Sequence, residues 1–149
     1  MASKNSNISR NFIVEQPYNE TDIGGTNLAT ATGDEGWTSL GTSQKILVRV
    51  NIVAWDAADN LTTLQLEEAT DIYGTSSALI TGKTITLTTA NIASGDVYIL
   101  EASGSDLTTN FNHVRVYAAT TDNTGPDTLS VTYIKDKNSM VLSQSDAEI

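Results

Sequence analysis

The sequence predicts an all-β fold, an antiparallel β-sandwich. The segment ILVRVNIVA, which begins at Ile46, alternates strictly, so that Ile46 and Val48 fall on one side of an extended strand and Arg49 falls on the other. Similar short segments recur almost to the C-terminus, separated by clusters of Asp, Asn, Gly and Ser. The chain is also rich in Thr, which favours pleated, half-exposed surfaces, and it shows no heptad pattern and no repeat of fixed length.

Seven segments have the length and composition of strands in such a fold. They are residues 45–55, 62–69, 84–88, 96–102, 111–118, 128–134 and 139–142, with two further stretches, 28–32 and 37–40, short enough to be brief strands. The connecting segments 67–74, 88–95 and 103–109 are each compatible with one helical turn. The Asp- and Asn-rich loop at 56–60 favours a hairpin, and Pro126 lies between strands, where its missing N–H costs no ladder hydrogen bond. Both features favour antiparallel pairing.

The two ends of the chain differ from this region in composition. We expect an extended N-terminal arm at 1–25, a single sandwich domain at 26–142 and a polar C-terminal tail at 143–149. The arm is rich in Asn, Ser and Gly and has one apolar cluster, Phe12, Ile13 and Val14. Such a cluster docks on a neighbouring protein or pairs as a short strand with an edge of its own sheet, and the sequence leaves both alternatives open.

The charge balance argues against nucleic acid as a partner. Eighteen acidic and eight basic residues give a formal charge of -10, which repels phosphates unless a basic patch is concentrated somewhere. The basic residues are instead scattered singly, and we expect them on solvated strand faces and in turns; they include Lys45, Arg49, Lys83, Arg115, Lys135 and Lys137. No apolar stretch is long enough for a membrane span, the first residues are too polar for a secretory signal, and the absence of Cys excludes disulfides.

No set of residues forms a pattern typical of catalysis. The single histidine, His113, shares a strand face with Arg115 and Tyr117, and we expect these three to face solvent or a possible subunit contact. No nucleophile motif accompanies His113, and one His without Cys cannot supply a usual zinc ligand set. The sequence predicts a binding or structural module and not an enzyme.

Acidic residues suggest two weaker hypotheses. The adjacent pairs Asp34-Glu35 and Glu67-Glu68 are expected to be surface charge, because neighbours on a strand point to opposite faces and do not bring two carboxylates together. Two loops offer oxygen ligands to calcium, namely Asp56, Asp59 and Asn60 in one and Asp122, Asn123 and Asp127 in the other. Neither loop follows a known calcium-binding pattern, so we predict no metal and no cofactor.

Exposed aromatic residues would suit a carbohydrate-binding module, because sugars stack on aromatic rings. Trp55 lies at a strand end opposite the Ile46–Ala54 face, where it can be exposed, contribute to the core or form a subunit contact. This class of function remains an alternative.

The order of five segments resembles virion structural proteins of tailed bacteriophages, specifically capsid decoration (cement) and head-fibre proteins. The segments are ILVRVNI at 46–52, LQLEEATDIYG at 64–74, ITGKTITL at 80–87, VYILE at 97–101 and FNHVRVY at 111–117, and the resemblance extends over residues 44–135. It implies a jelly-roll-like sandwich without catalytic residues.

The resemblance further implies a decoration protein that binds and stabilises the outer surface of a phage head. Its partners would be the major capsid protein and other copies of itself, most simply in a homotrimer, since linked weak contacts to a repetitive lattice reinforce one another. It would be made in the host cytoplasm and located on the virion. We expect Phe12, Ile13 and Val14 to contact the capsid, because each can contribute about 1.5–3 kcal/mol when buried. A tail or neck component is the alternative within this class.

Overall fold

The computed structural model describes residues 12–22, 36–55, 61–87, 92–120 and 128–136. This part of the chain forms eight β-strands and one short 3-10 turn at Gly104–Asp106. The strands are β1 (Phe12–Asp22), β2 (Thr38–Ser39), β3 (Lys45–Ala54), β4 (Leu61–Ala69), β5 (Ala78–Thr86), β6 (Val97–Ser103), β7 (His113–Thr120) and β8 (Thr128–Asp136). The all-β prediction is confirmed. The strands expected at 28–32 and 139–142 lie outside the described residues.

The strands form two four-stranded antiparallel sheets. Sheet A has the order β1-β8-β3-β6 and sheet B the order β2-β7-β4-β5. Strand β3 shows why they pack: its residues alternate between buried and accessible, and Val48, Val50 and Ile52 have no exposed surface. Sheet B matches this with Leu64, Leu66 and others in one continuous core. The predicted β-sandwich is therefore confirmed.

Strand β1 lies at one edge of sheet A and pairs with β8. Of the two alternatives for the apolar cluster, the structure has the paired strand: Phe12 lies opposite Asp136, Ile13 opposite Lys135 and Val14 opposite Ile134. Two register shifts follow, on either side of Tyr18, whose side chain is buried in the core.

Tyr133 joins the two sheets through its hydroxyl group. The hydroxyl accepts a hydrogen bond from the backbone N–H of Val116 in sheet B (3.0 Å) and donates to the carbonyl of Gly36 (2.9 Å). Complete burial raises the pKa of Tyr133 well above its usual value, which keeps the hydroxyl protonated as a donor. Gly36 has φ +81°, and a Cβ there would lie 2.0 Å from the Tyr18 hydroxyl, so this approach requires glycine.

Candidate docking surface

Sheet A directs one set of side chains away from sheet B, and we call this surface the outer A face. Cross-strand partners lie on the same side of a sheet, so the register places Val14, Ile134, Leu47 and Glu101 in one row and Thr132, Arg49 and Ile99 in the next. Other residues on this side include Phe12, Lys45, Asn51, Val53, Val97, Ser103, Thr128, Ser130 and Asp136.

The outer A face exposes large apolar side chains that nothing in the described chain covers. Val14 is 66% exposed, Ile99 44%, and Phe12 and Val97 43% each. Soluble monomers rarely expose contiguous apolar patches of this kind, and larger patches typically mark sites of interaction with other proteins. The outer A face is therefore the strongest candidate for a binding surface.

A shallow groove lies at one end of this face. It has a volume of about 430 Å³ and is lined by Phe12, Leu47, Ile134 and Lys45 together with residues of the β6 end of the sandwich, among them Glu101 and Asp106. Lys83 closes the groove from sheet B through an ion pair with Asp106 (3.1 Å). The hydrogen bond from the Ser103 backbone N–H and the contact with Lys83 hold the pKa of Asp106 below its usual value.

The outer A face carries cations as well as anions, although the protein is strongly acidic. Lys45 and Arg49 lie on this face together with Glu101 and Asp136, so cations alternate with anions in a chain with a formal charge of -10. A largely apolar surface on which cations offset anions lowers the electrostatic cost of bringing a second acidic surface close.

The outer face of sheet B differs where β2, β7 and β4 meet, because large side chains cover one another there, although Leu79 on β5 is 52% exposed. The Arg115 guanidinium lies 4.4 Å from the centre of the Trp37 ring and pairs with Glu67 (2.8 Å). Only 11% of the Arg115 side chain and 14% of the Glu67 side chain are exposed. Gly74 lies against the edge of the indole. The expectation that Glu67 and Arg115 are solvated surface charges is wrong.

Two further charged residues are buried toward the core. Lys135 is 3% exposed; its ammonium group pairs with Glu15 (2.9 Å) and donates to the Thr38 hydroxyl and to the Ser39 carbonyl (3.0 Å). It therefore connects β1 and β8 of sheet A to β2 of sheet B. The expectation of a solvated Lys135 is wrong. The ammonium group can be buried because these three acceptors replace the water that would otherwise solvate it.

Glu68 is also 3% exposed, against the expectation of surface charge. Its carboxylate accepts hydrogen bonds from the backbone N–H of Thr108 (2.7 Å) and from the Thr108 hydroxyl (2.5 Å). It fixes the loop that follows β6 against strand β4, so its role is structural.

The predicted site residues fall into two groups. Phe12 and Val14 belong to the outer A face, whereas Ile13 lies on the opposite side of β1, beside Lys135. His113, Arg115 and Tyr117 share a face of sheet B and are partly buried. Burial lowers the pKa of His113; Asp71 opposes this and Lys135 adds to it, so the net effect favours the neutral imidazole.

The sequence analysis missed the residues of β3 and β6 in this surface, above all Leu47, Val97 and Ile99. The sequence carries one signal for these residues: β3 and β6 have apolar residues on both of their faces, and not only on the face that packs against sheet B. Trp37 is buried beneath Arg115, and Trp55 packs partly against the core, so neither indole stands clear of the fold. In the described residues, both indole nitrogens are buried without a hydrogen-bond partner.

The structure gives no support for a metal centre in the residues it describes, where no group of three or more metal-ligating side chains occurs. Both proposed calcium loops lie outside these residues. Across the described ranges, no helix has the length and apolar character needed to cross a membrane. No protein-family model matches the chain, and no curated protein matches its sequence significantly.

Proposed function

We propose that this protein is a structural component of a tailed-bacteriophage virion, a decoration protein that binds the outer surface of the capsid. The observation that carries the proposal is the exposed apolar strip at the β1 edge of sheet A, formed by Phe12 and Val14. Protein binding is the function that such a strip supports best, and the resemblance of residues 44–135 to virion proteins supplies the kind of partner.

The order of the strands supports this assignment. An eight-stranded jelly roll has two four-stranded antiparallel sheets whose strands follow the orders 1-8-3-6 and 2-7-4-5, and sheets A and B have these orders. Jelly rolls are common in viral capsid proteins, although they also occur in lectins. We therefore propose the jelly-roll description as a refinement of the β-sandwich.

The strip itself has the properties of a capsid-contacting edge. Phe12 and Val14 sit on one side of a paired strand, so their positions are fixed before binding and less entropy is lost than a disordered arm would lose. Their burial under a capsid subunit would contribute about 1.5–3 kcal/mol for each side chain. Many identical sites on the lattice multiply this effect when the bound protein is an oligomer.

The test is binding of the purified protein to capsids assembled from the major capsid protein of the same phage genome. We expect wild-type protein to cosediment with these capsids and to raise their melting temperature. Replacing Phe12 and Val14 together by Ser should weaken binding by roughly tenfold or more, because the apolar area is lost. Both side chains are exposed, so the fold should be retained.

A matched control is the double replacement of Ile72 and Tyr73 by Ser. These residues are 53% and 71% exposed in the β4–β5 connection of sheet B, away from the outer A face. This control should bind capsids like the wild type. Wild-type protein that does not bind capsids would overturn the proposed function. Undiminished binding by the Phe12/Val14 variant would show that the β1 strip is not the capsid contact.

A further inference from the structure

We propose that the β3–β6 half of the outer A face binds a second copy of this chain in a two-fold symmetric dimer. The capsid contact proposed above uses the β1 edge of the same sheet, whereas this contact is centred between β3 and β6. With strands about 4.8 Å apart, its centre lies about 12 Å from β1.

The apolar part of this contact consists of Leu47, Val97 and Ile99. Leu47 and Ile99 lie on neighbouring strands, and Val97 follows two residues before Ile99 on the same side of β6. The exposed fractions of Val97 and Ile99 equal or exceed that of Phe12. Two such faces packed together would bury these side chains as two sheets of a sandwich do.

Two opposite charges make the surface complementary to itself. Arg49 lies opposite Ile99 and Glu101 opposite Leu47, so Arg49 and Glu101 are diagonal neighbours about 7–8 Å apart. A two-fold axis in the interface, running midway between them, places each Arg49 against Glu101 of the second copy. A symmetric interface contains every such contact twice, so the arrangement forms two ion pairs.

The overall charge of the chain makes the outer A face the most favourable surface for binding a second copy. Two molecules that each carry a formal charge of -10 repel one another, and association is least costly where the local charge is zero. In the β3–β6 half of the outer A face, Lys45 and Arg49 lie beside Glu101, so the proposed contact itself is not acidic.

The inference is tested on the purified chain alone, so its outcome does not depend on capsid binding. Sedimentation equilibrium and light scattering should find a dimer in exchange with the monomer. Arg49→Glu and Glu101→Arg should each raise the dissociation constant by roughly tenfold or more, because each places like charges opposite one another twice. The double variant R49E/E101R restores opposite charges and should associate like the wild type.

The pair of single variants separates a specific contact from an effect of net charge. Arg49→Glu makes the protein more acidic and Glu101→Arg makes it less acidic, so a general charge effect would weaken the dimer in one variant and strengthen it in the other. Specific pairing weakens it in both. Circular dichroism and thermal melts would check that each variant is folded.

Several results would overturn the inference. These are a wild-type monomer at sub-millimolar concentration, a trimer, a dimer that neither single variant weakens, and a double variant that fails to recover. The trimer suggested by the resemblance to decoration proteins is distinguished by its mass, since a single two-fold contact joins two copies and not three.

Discussion

The outer faces of the two sheets differ in how far their large side chains are covered by other side chains. On sheet B, Arg115 covers Trp37 and is paired with Glu67, so this part of the face is covered by side chains of its own chain, while Leu79 on β5 stays exposed. On sheet A, Val14 is 66% and Ile99 44% exposed, and no side chain of the described residues covers them. An aromatic or charged residue on a sandwich surface therefore does not by itself indicate a binding site; apolar side chains left uncovered are the stronger sign.

The largest expected difference between the two faces concerns their arginines. Arg115→Ala should lower the free energy of unfolding by about 2–3 kcal/mol, because it leaves the mostly buried Glu67 carboxylate without its partner and uncovers Trp37. Arg49→Ala on the exposed outer A face should cost less than about 0.5 kcal/mol. Urea unfolding of dilute protein measures both values. Equal costs would contradict the account that Arg115 is held between Trp37 and Glu67.

A smaller difference is expected between two glycines of sheet B. Gly74 and Gly82 have nearly the same backbone conformation, with φ of +77° and +76°, so replacement by Ala strains both backbones similarly. A Cβ at Gly74 would lie 2.8 Å from the Trp37 indole nitrogen, whereas a Cβ at Gly82 would have no heavy atom within 4 Å. Gly74→Ala should therefore be more destabilising than Gly82→Ala by about 1–2 kcal/mol.

Thermal or urea unfolding of the two glycine variants provides the comparison. Tryptophan fluorescence should change in Gly74→Ala and stay the same in Gly82→Ala, because only the first substitution displaces Trp37. Equal destabilisation would mean that the indole is not held against the β4–β5 connection.

The central strands were predictable from the sequence because their alternation has one cause, burial of one face against the other sheet. The segment beginning at Ile46 shows this most clearly, and β3 occupies Lys45–Ala54. The same alternation places Glu68 in phase with Leu64 and Leu66, and Lys135 in phase with Tyr133. Their burial was missed because charged residues are seldom buried, and only the three-dimensional structure shows the Thr108, Glu15 and Thr38 groups that make it possible.

The pairing of β1 was harder to predict for a different physical reason. Two register shifts and Pro17 interrupt its alternation, so no single period extends over Phe12–Asp22. Strand β5 has a similar irregularity: its register with β4 shifts between Gln65 and Glu67, and it begins at Ala78, well before the predicted start at residue 84. The candidate surface spans four strands that are distant in sequence, and no local pattern reveals that they are neighbours.

The most direct test of the outer A face as a protein-binding surface is hydroxyl-radical footprinting with and without capsids, read out by mass spectrometry. We expect labelling of Phe12 and Val14 to fall when capsids are added, while labelling of Ile72 and Tyr73 on sheet B stays unchanged. Protection of Ile72 and Tyr73 with undiminished labelling of Phe12 and Val14 would contradict the account.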